Sequence, residues 1–222
     1  LAETIALVYL FFDVPGRIGM AADYALMIRN LLVFYDFKDK TLICIGSGGG
    51  QLIGYSHAPK KIIAIDQDAG ALEHLRIAAE KNDLADKFEF VNGDFLTMDL
   101  PVLGDVVLFE FCLHEMTDAA LALTRAGKLA DDVVIFDHGL KSHWAYYVVE
   151  EEKVRVSWQA VERFKVSRHR DYTAEQMFKD YDELLSKVKP QGEIAIQRIE
   201  KFKGKMNITI PFTYELALIN FP

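Results

Sequence analysis

In the run Thr41-Leu-Ile-Cys-Ile-Gly-Ser-Gly-Gly-Gly50 an apolar, β-type stretch empties into four glycines within five residues. The pattern predicts a strand, a tight turn and the start of a helix. Glycine accepts φ > 0 in such a turn, and without a Cβ it lets another group lie directly against the backbone. The free N–H groups at the start of the next helix suit a carboxylate or a phosphate. A strand that feeds a helix in this way is the unit of a layered α/β domain, in which ligands lie beyond the carboxyl ends of the strands.

Four more apolar runs follow, and each closes on chemistry. Lys61-Ile-Ile-Ala-Ile-Asp66 ends in a carboxylate about 20 residues beyond the loop, where a ribose hydroxyl acceptor sits in nucleotide crevices. The competing reading makes Asp66 the cap of a helix over 69–82. Phe88-Glu-Phe-Val-Asn-Gly-Asp94-Phe95 again ends in an acid. The fourth run starts at Asp105 and carries Glu110 inside apolar surroundings, then Phe111, Cys112, His114 and Glu115. Asp132-Val-Val-Ile-Phe-Asp137-His138-Gly139 is the fifth.

Leu42 to Gly50 resembles the first motif of class I S-adenosylmethionine-dependent methyltransferases, with Gly46, Gly48 and Gly50 in the three glycine positions. Cys44 stands where that family has an acid for the methionine part of the cofactor. The resemblance extends by motif from Leu42 to Phe136. It implies cofactor contacts from Gly46, Ser47, Gly48 and Gly50, ribose contacts from Asp66 with Gln67 beside it, and adenine contacts from Asp94 and Phe95. It places Glu110, Phe111, Cys112, His114 and Glu115 on the wall near the transferable methyl group. A buried carboxylate needs a partner. Glu110 is expected to meet either the cofactor's ammonium, which would compensate for Cys44, or an arginine such as Arg17 or Arg29.

The family also implies a three-layer α/β sandwich on a seven-stranded, mostly parallel sheet, order 3-2-1-4-5-7-6, with the last strand antiparallel. Residues 1–222 are expected to form one domain, with 1–38 as a helical cap over the substrate pocket and 39–222 as the cofactor-binding core. Helical spacing at 2–12 and 20–36 supports the cap, and Tyr9, Phe12 and Tyr24 are candidates to line it. Trp144, Tyr147, Val148, Val154, Trp158 and Val161 make a core-facing helical stripe. Thr173-Ala-Glu-Gln176 reads as a capping box opening a helix to about Val188. Glu193 to Phe202 and Asn207 to Asn220 read as two strands of a hairpin joined by Lys203-Gly-Lys-Met, with no room for a crossover helix.

A formal net charge of −8 argues against a general grip on nucleic acid, and no apolar run reaches the ~18 residues that a membrane span needs. The opening Leu1 to Phe12 contains Glu3 and lacks a basic leader, so it reads as a docking helix rather than a signal peptide. The expected partner is a small-molecule methyl acceptor; nucleic acid and membrane are not expected, and homo-oligomerisation stays open. Two cysteines inside apolar stretches, Cys44 and Cys112, suit a reducing cytoplasm. The expected reaction is in-line methyl transfer, with His114 and His138 as candidate bases and Glu110 beside them. Glu115, Asp137, His138 and His143 match no strong metal pattern, so no metal is expected. A nicotinamide oxidoreductase would share the first loop and Asp66, although its fingerprint wants a third glycine at Gln51. A non-catalytic partner protein that keeps the fold is the other alternative.

Overall fold

The structure, a computed structural model, describes residues 24–49 and 52–222. Seven strands form one sheet in the order β3-β2-β1-β4-β5-β7-β6. The parallel part consists of β1 (Thr41–Ile45), β2 (Lys61–Asp66), β3 (Phe88–Asn92), β4 (Val106–Glu110) and β5 (Asp132–His138). β7 (Met206–Asn220) runs antiparallel to both β5 and the edge strand β6 (Val166–Asp180).

The central strands are apolar on both sides because both faces are covered. Alternation sends Leu42 and Cys44 of β1 into one core layer and Ile43 and Ile45 into the other. Helix α1 (Tyr24–Phe34) buries Met27, Ile28, Leu31 and Phe34 in the first layer. Tyr24, expected at the pocket, packs half-buried on that same cluster. The rest of the expected cap, with Tyr9, Phe12 and Arg17, lies outside the described residues, as does Gly50.

Helix α2 (Leu52–Tyr55) follows the glycine turn, and α3 (Ala69–Lys81) follows β2. Asp68, not Asp66, caps α3, accepting from Gly70 N and Ala71 N. α4 (Ala119–Ala126) links β4 to β5. The aromatic stripe after β5 is divided between α5 (His143–Tyr147) and α6 (Glu151–Val161), with Val149 at φ 62 between them. All six stripe residues are buried, as expected.

The C-terminal third differs from the sequence reading. Thr173 to Gln176 lie in β6, where Tyr172, Ala174, Gln176 and Phe178 alternate inward with a strand's period. The capping signal that operates is one element later: Asp180 accepts from Glu183 N at 3.0 Å and opens α7 (Tyr181–Val188), while Glu183 accepts from Lys179 N. Glu193 to Phe202 is not a strand. Its Ala195 and Ile199, one helical repeat apart, are fully buried in α8 (Glu193–Ile199), and Ile194 faces outward. The antiparallel pair is therefore β6 and β7, connected through two helices rather than a short hairpin. Among the described residues no helix is long and apolar enough to cross a membrane.

Candidate active site

The parallel strands bring the glycine turn, Asp66, Asp94 and Glu110 to one edge of the sheet. Gly46 has φ 74, and a Cβ there would meet Cys112 Cβ at 2.3 Å, so both conformation and crowding require glycine. Gly48 N donates to Asp66 Oδ2 at 2.8 Å, and Asp68 N donates to Oδ1 at 2.9 Å. Asp66 thus clasps the turn to the tip of β2 and stays only half-buried, with lone pairs left for a hydroxyl donor. Ser47 is buried and donates to Ile65 O at 3.3 Å. The Gln67 side chain is exposed, and its backbone oxygen accepts from Asn92.

Asp94 is exposed and accepts from Leu96 N at 2.9 Å and from Thr97 Oγ1 at 3.1 Å, which fixes the turn after β3. Phe95, expected beside the adenine, is packed into the core. It is 3% exposed, edge-on to Phe109 at 5.7 Å with the Arg125 guanidinium over its face. The turn that Asp94 opens, with Thr97 N and Met98 N donating to Asp94 O, carries the Phe95 ring into the layer of Phe109 while the Asp94 side chain stays outside.

Glu110 does not meet Arg29, and Arg17 lies outside the described residues. The Arg29 side chain is exposed, and the Glu110 carboxylate instead accepts from the Tyr55 hydroxyl, with Cys44 Sγ 3.7 Å from the same oxygen. A carboxylate from β4 therefore reaches the side chain of Cys44, the position where the resembling family carries its acid. Burial pushes the Cys44 thiol and the Tyr55 hydroxyl up, so both remain protonated donors. Burial also drives Glu110 up to about 7, against the opposing pull of these two donors. Its second oxygen, Oε1, is buried and has no hydrogen-bond partner among the described residues.

Beyond Glu110 the chain turns through Phe111 at φ 47, a conformation that is strained for a bulky side chain. The turn is held by Phe111 N donating to Phe136 O at 2.7 Å, and it places the Phe111 ring 5.1 Å from that of His138. His114 lies in the next turn, Leu113–Glu115. Its Nδ1 is 2.6 Å from Asp137 Oδ1, its backbone N donates to Asp137 Oδ2, and its Nε2 is 3.7 Å from Glu150 Oε2. Burial opposes charge on His114, but Asp137 and Glu150 outweigh it and hold its pKa up near about 10. His138 goes the other way, lowered to about 4 by burial and the neighbouring imidazolium. The two acids thus favour the protonated form of His114 over the free base.

Sequence reasoning missed Tyr55 and Glu150. The signal that singled out Glu110, a carboxylate closing an apolar run, also exists at Val148-Val149-Glu150. Of the four residues weighed for a metal, His138 and Asp137 come together beside His114 and Glu150. Glu115 lies at the rim, one oxygen 3.5 Å from His114 Nε2 and the other paired with Lys153 at 2.7 Å.

Residues 43–130 match the family model of a methyltransferase domain. A 126-residue stretch is 29% identical to the protein arginine N-methyltransferase PRMT10 of Oryza sativa, both japonica and indica, over 54% of this chain and 32% of the relative. The chain thus spans about a third of the length of these curated relatives. Among solved structures, BH2331 of Bacillus halodurans C-125, solved as a candidate methyltransferase, superposes with a TM-score of 0.65 at 15% identity, covering 90% of this chain and 99% of that one. The N-methyltransferase NodS from Bradyrhizobium japonicum WM9, in complex with S-adenosyl-L-homocysteine, gives 0.58 at 12% identity, covering 99% and 98%.

Proposed function

We propose that this chain, which has the class I methyltransferase fold, uses S-adenosylmethionine to methylate a small-molecule acceptor. The observation that carries the reading is the buried Glu110 carboxylate beside Cys44, with one oxygen unpartnered, at the same sheet edge as the Gly46–Gly48 turn and Asp66. That oxygen suits the cofactor's ammonium, so β4 supplies the acid that the end of β1 lacks. Asp66 would take the ribose hydroxyls, and the backbone at Asp94 and Leu96 would border the adenine. The cofactor supplies an activated methyl group. The protein's part is to orient the acceptor in line with it and to exclude water.

Phe111, His138 and Phe212 pack ring against ring at the far end of the cradle, and we assign the acceptor to this end. Such a wall of rings suits a compact, partly apolar acceptor better than an extended polymer. Both thiols are free, which agrees with a reducing cytoplasm as the working compartment.

S-adenosylhomocysteine should raise the melting temperature through linkage, and NAD should not. Tight NAD binding with no response to S-adenosylhomocysteine would overturn the reading. Product detection by mass spectrometry, with metabolite fractions and arginine-bearing peptides offered in parallel, decides the acceptor. Methylation of the peptides alone would remove the small-molecule part. Asp66→Ala should weaken S-adenosylhomocysteine binding by about 1–3 kcal/mol, because hydroxyls lose a charged acceptor. An unchanged Kd in a folded variant would reduce Asp66 to a clasp on the glycine turn.

A further inference from the structure

We infer that His114, His138 and Glu150 form a binding site for a divalent transition-metal cation at the acceptor end of the cradle. One donor atom from each of the three lies within 4.8 Å of the other two. The donors come from three separately anchored elements. His114 sits in the turn after β4, held by its backbone bond to Asp137. His138 ends β5, where its backbone oxygen accepts from Trp158 Nε1 at 2.7 Å. Glu150 follows the Val149 kink between α5 and α6, its N–H donating to Ala145 O at 2.8 Å. A chance meeting of surface groups would lack this support.

Two features point to a cation rather than to a closed ion-pair cluster. His114 Nδ1 is engaged by the buried Asp137 carboxylate, which turns Nε2 toward Glu150 at 3.7 Å and the rim carboxylate of Glu115 at 3.5 Å. A cation bound there takes the place of the Nε2 proton. Metal-binding histidines are oriented in this way, by a carboxylate on the nitrogen that does not bind. His138 Nδ1 is sealed from solvent and has no hydrogen-bond partner among the described residues, so the pairing of His114 with its acids leaves His138 unexplained. A cation between the three would meet this nitrogen or its ring partner Nε2.

The upper limit of 4.8 Å on the spacing is wider than the about 3.3 Å between donors around tetrahedral zinc with bonds of 2.0–2.1 Å, so the donors must draw inward on binding. Two imidazoles and one carboxylate are borderline donors suited to zinc and its first-row neighbours rather than to magnesium or calcium. Three protein ligands leave a position for water or for an oxygen of the acceptor. The site lies next to the Phe111 ring, which packs on its ligand His138, so an occupied site would select acceptors that carry a ligating oxygen or nitrogen.

The test uses the metal alone and requires no methyl transfer. The metal-stripped protein is titrated calorimetrically with zinc(II), and with cobalt(II) while visible d–d bands are followed. One ion per chain is expected, with a zinc-dependent rise in melting temperature. His138→Gln and Glu150→Gln should each weaken zinc binding by at least about 100-fold, and Asp137→Asn by roughly 10–100-fold as an orienting partner. His74→Ala on the exposed face of α3 should bind like wild type. Folding of every variant is checked by circular dichroism and cooperative urea denaturation, which keeps this result separate from the cofactor assignment. Absence of stoichiometric zinc binding, or equal zinc affinity in wild type and a folded His138→Gln, would refute the site.

Discussion

Gly46→Ala is expected to destabilise the protein by about 2–5 kcal/mol, the sum of left-handed backbone strain and overpacking. The residue has φ 74, and the new methyl group would lie 2.3 Å from Cys112 Cβ and 2.6 Å from its sulfur. Cys112 cannot simply move aside, because its thiol donates to Ile45 O at 3.1 Å beneath the same turn. Urea denaturation measures the loss. Replacing Cys112 by glycine in the same chain should recover the overpacking part and leave about 1–2 kcal/mol of backbone strain. A Gly46→Ala protein with wild-type stability would show that the turn is held by something other than this contact. The glycine would then serve ligand approach alone.

Glu110→Gln should have opposite effects on the free and the liganded protein. In the folded chain the Glu110 carboxyl is raised to about 7 from an ordinary 4.5, so folding favours its protonated form. Ionisation therefore costs no stability below pH 4.5, and the penalty accumulates between pH 4.5 and about 7 and stays constant above that. At 1.36 kcal/mol per unit the full penalty is about 3 kcal/mol, so the unliganded Gln variant should be more stable than wild type at pH 8 by up to that amount. At pH 4.5 the two should coincide. Binding of S-adenosylhomocysteine should suffer instead, by about 1.5–3 kcal/mol, because its ammonium loses a charged partner. Wild-type affinity should rise with pH to a plateau above 7 as the carboxyl gives up its proton, a slope that the Gln variant lacks. Calorimetry across that range measures both. Equal, pH-independent affinity in wild type and Gln variant would remove Glu110 from the cofactor site.

The ends of β1, β2, β3 and β5 could be read closely because each is local: an apolar run of strand length followed at once by glycine or a carboxylate. Asp66 and Asp94 were located by that rule, and the structure adds that each also fixes its own turn. For Phe95 the rule gave the position but not the packing against Phe109, since adjacency in sequence does not decide on which side of a tip a ring falls. Between residues 166 and 202 the local signals conflicted. Thr173-Ala-Glu-Gln176 and Asp180-Tyr-Asp-Glu183 both resemble capping boxes, and only the pairing of Tyr172 with Tyr214 and of Ala174 with Phe212 across β7 decides in favour of a strand. An edge strand with a mostly polar outer face carries little hydrophobic contrast, so its neighbour supplies the information.

The sequence alone determined the α/β layering and the carboxylates at the tips, because these follow from period and spacing within short windows; the strand order came only as what the family resemblance implies. Only the tertiary structure decided who meets whom. Glu110 lies 66 positions from Cys44 and 55 from Tyr55, yet all three share one buried contact. His114 and Asp137, 23 apart, are joined by adjacent strand ends, and Glu150 reaches them from beyond the next helix. No local pattern encodes such partners, because their proximity is a property of sheet order and register. The protonation of Glu110, His114 and His138 is set in turn by those neighbours and by the water that folding removes.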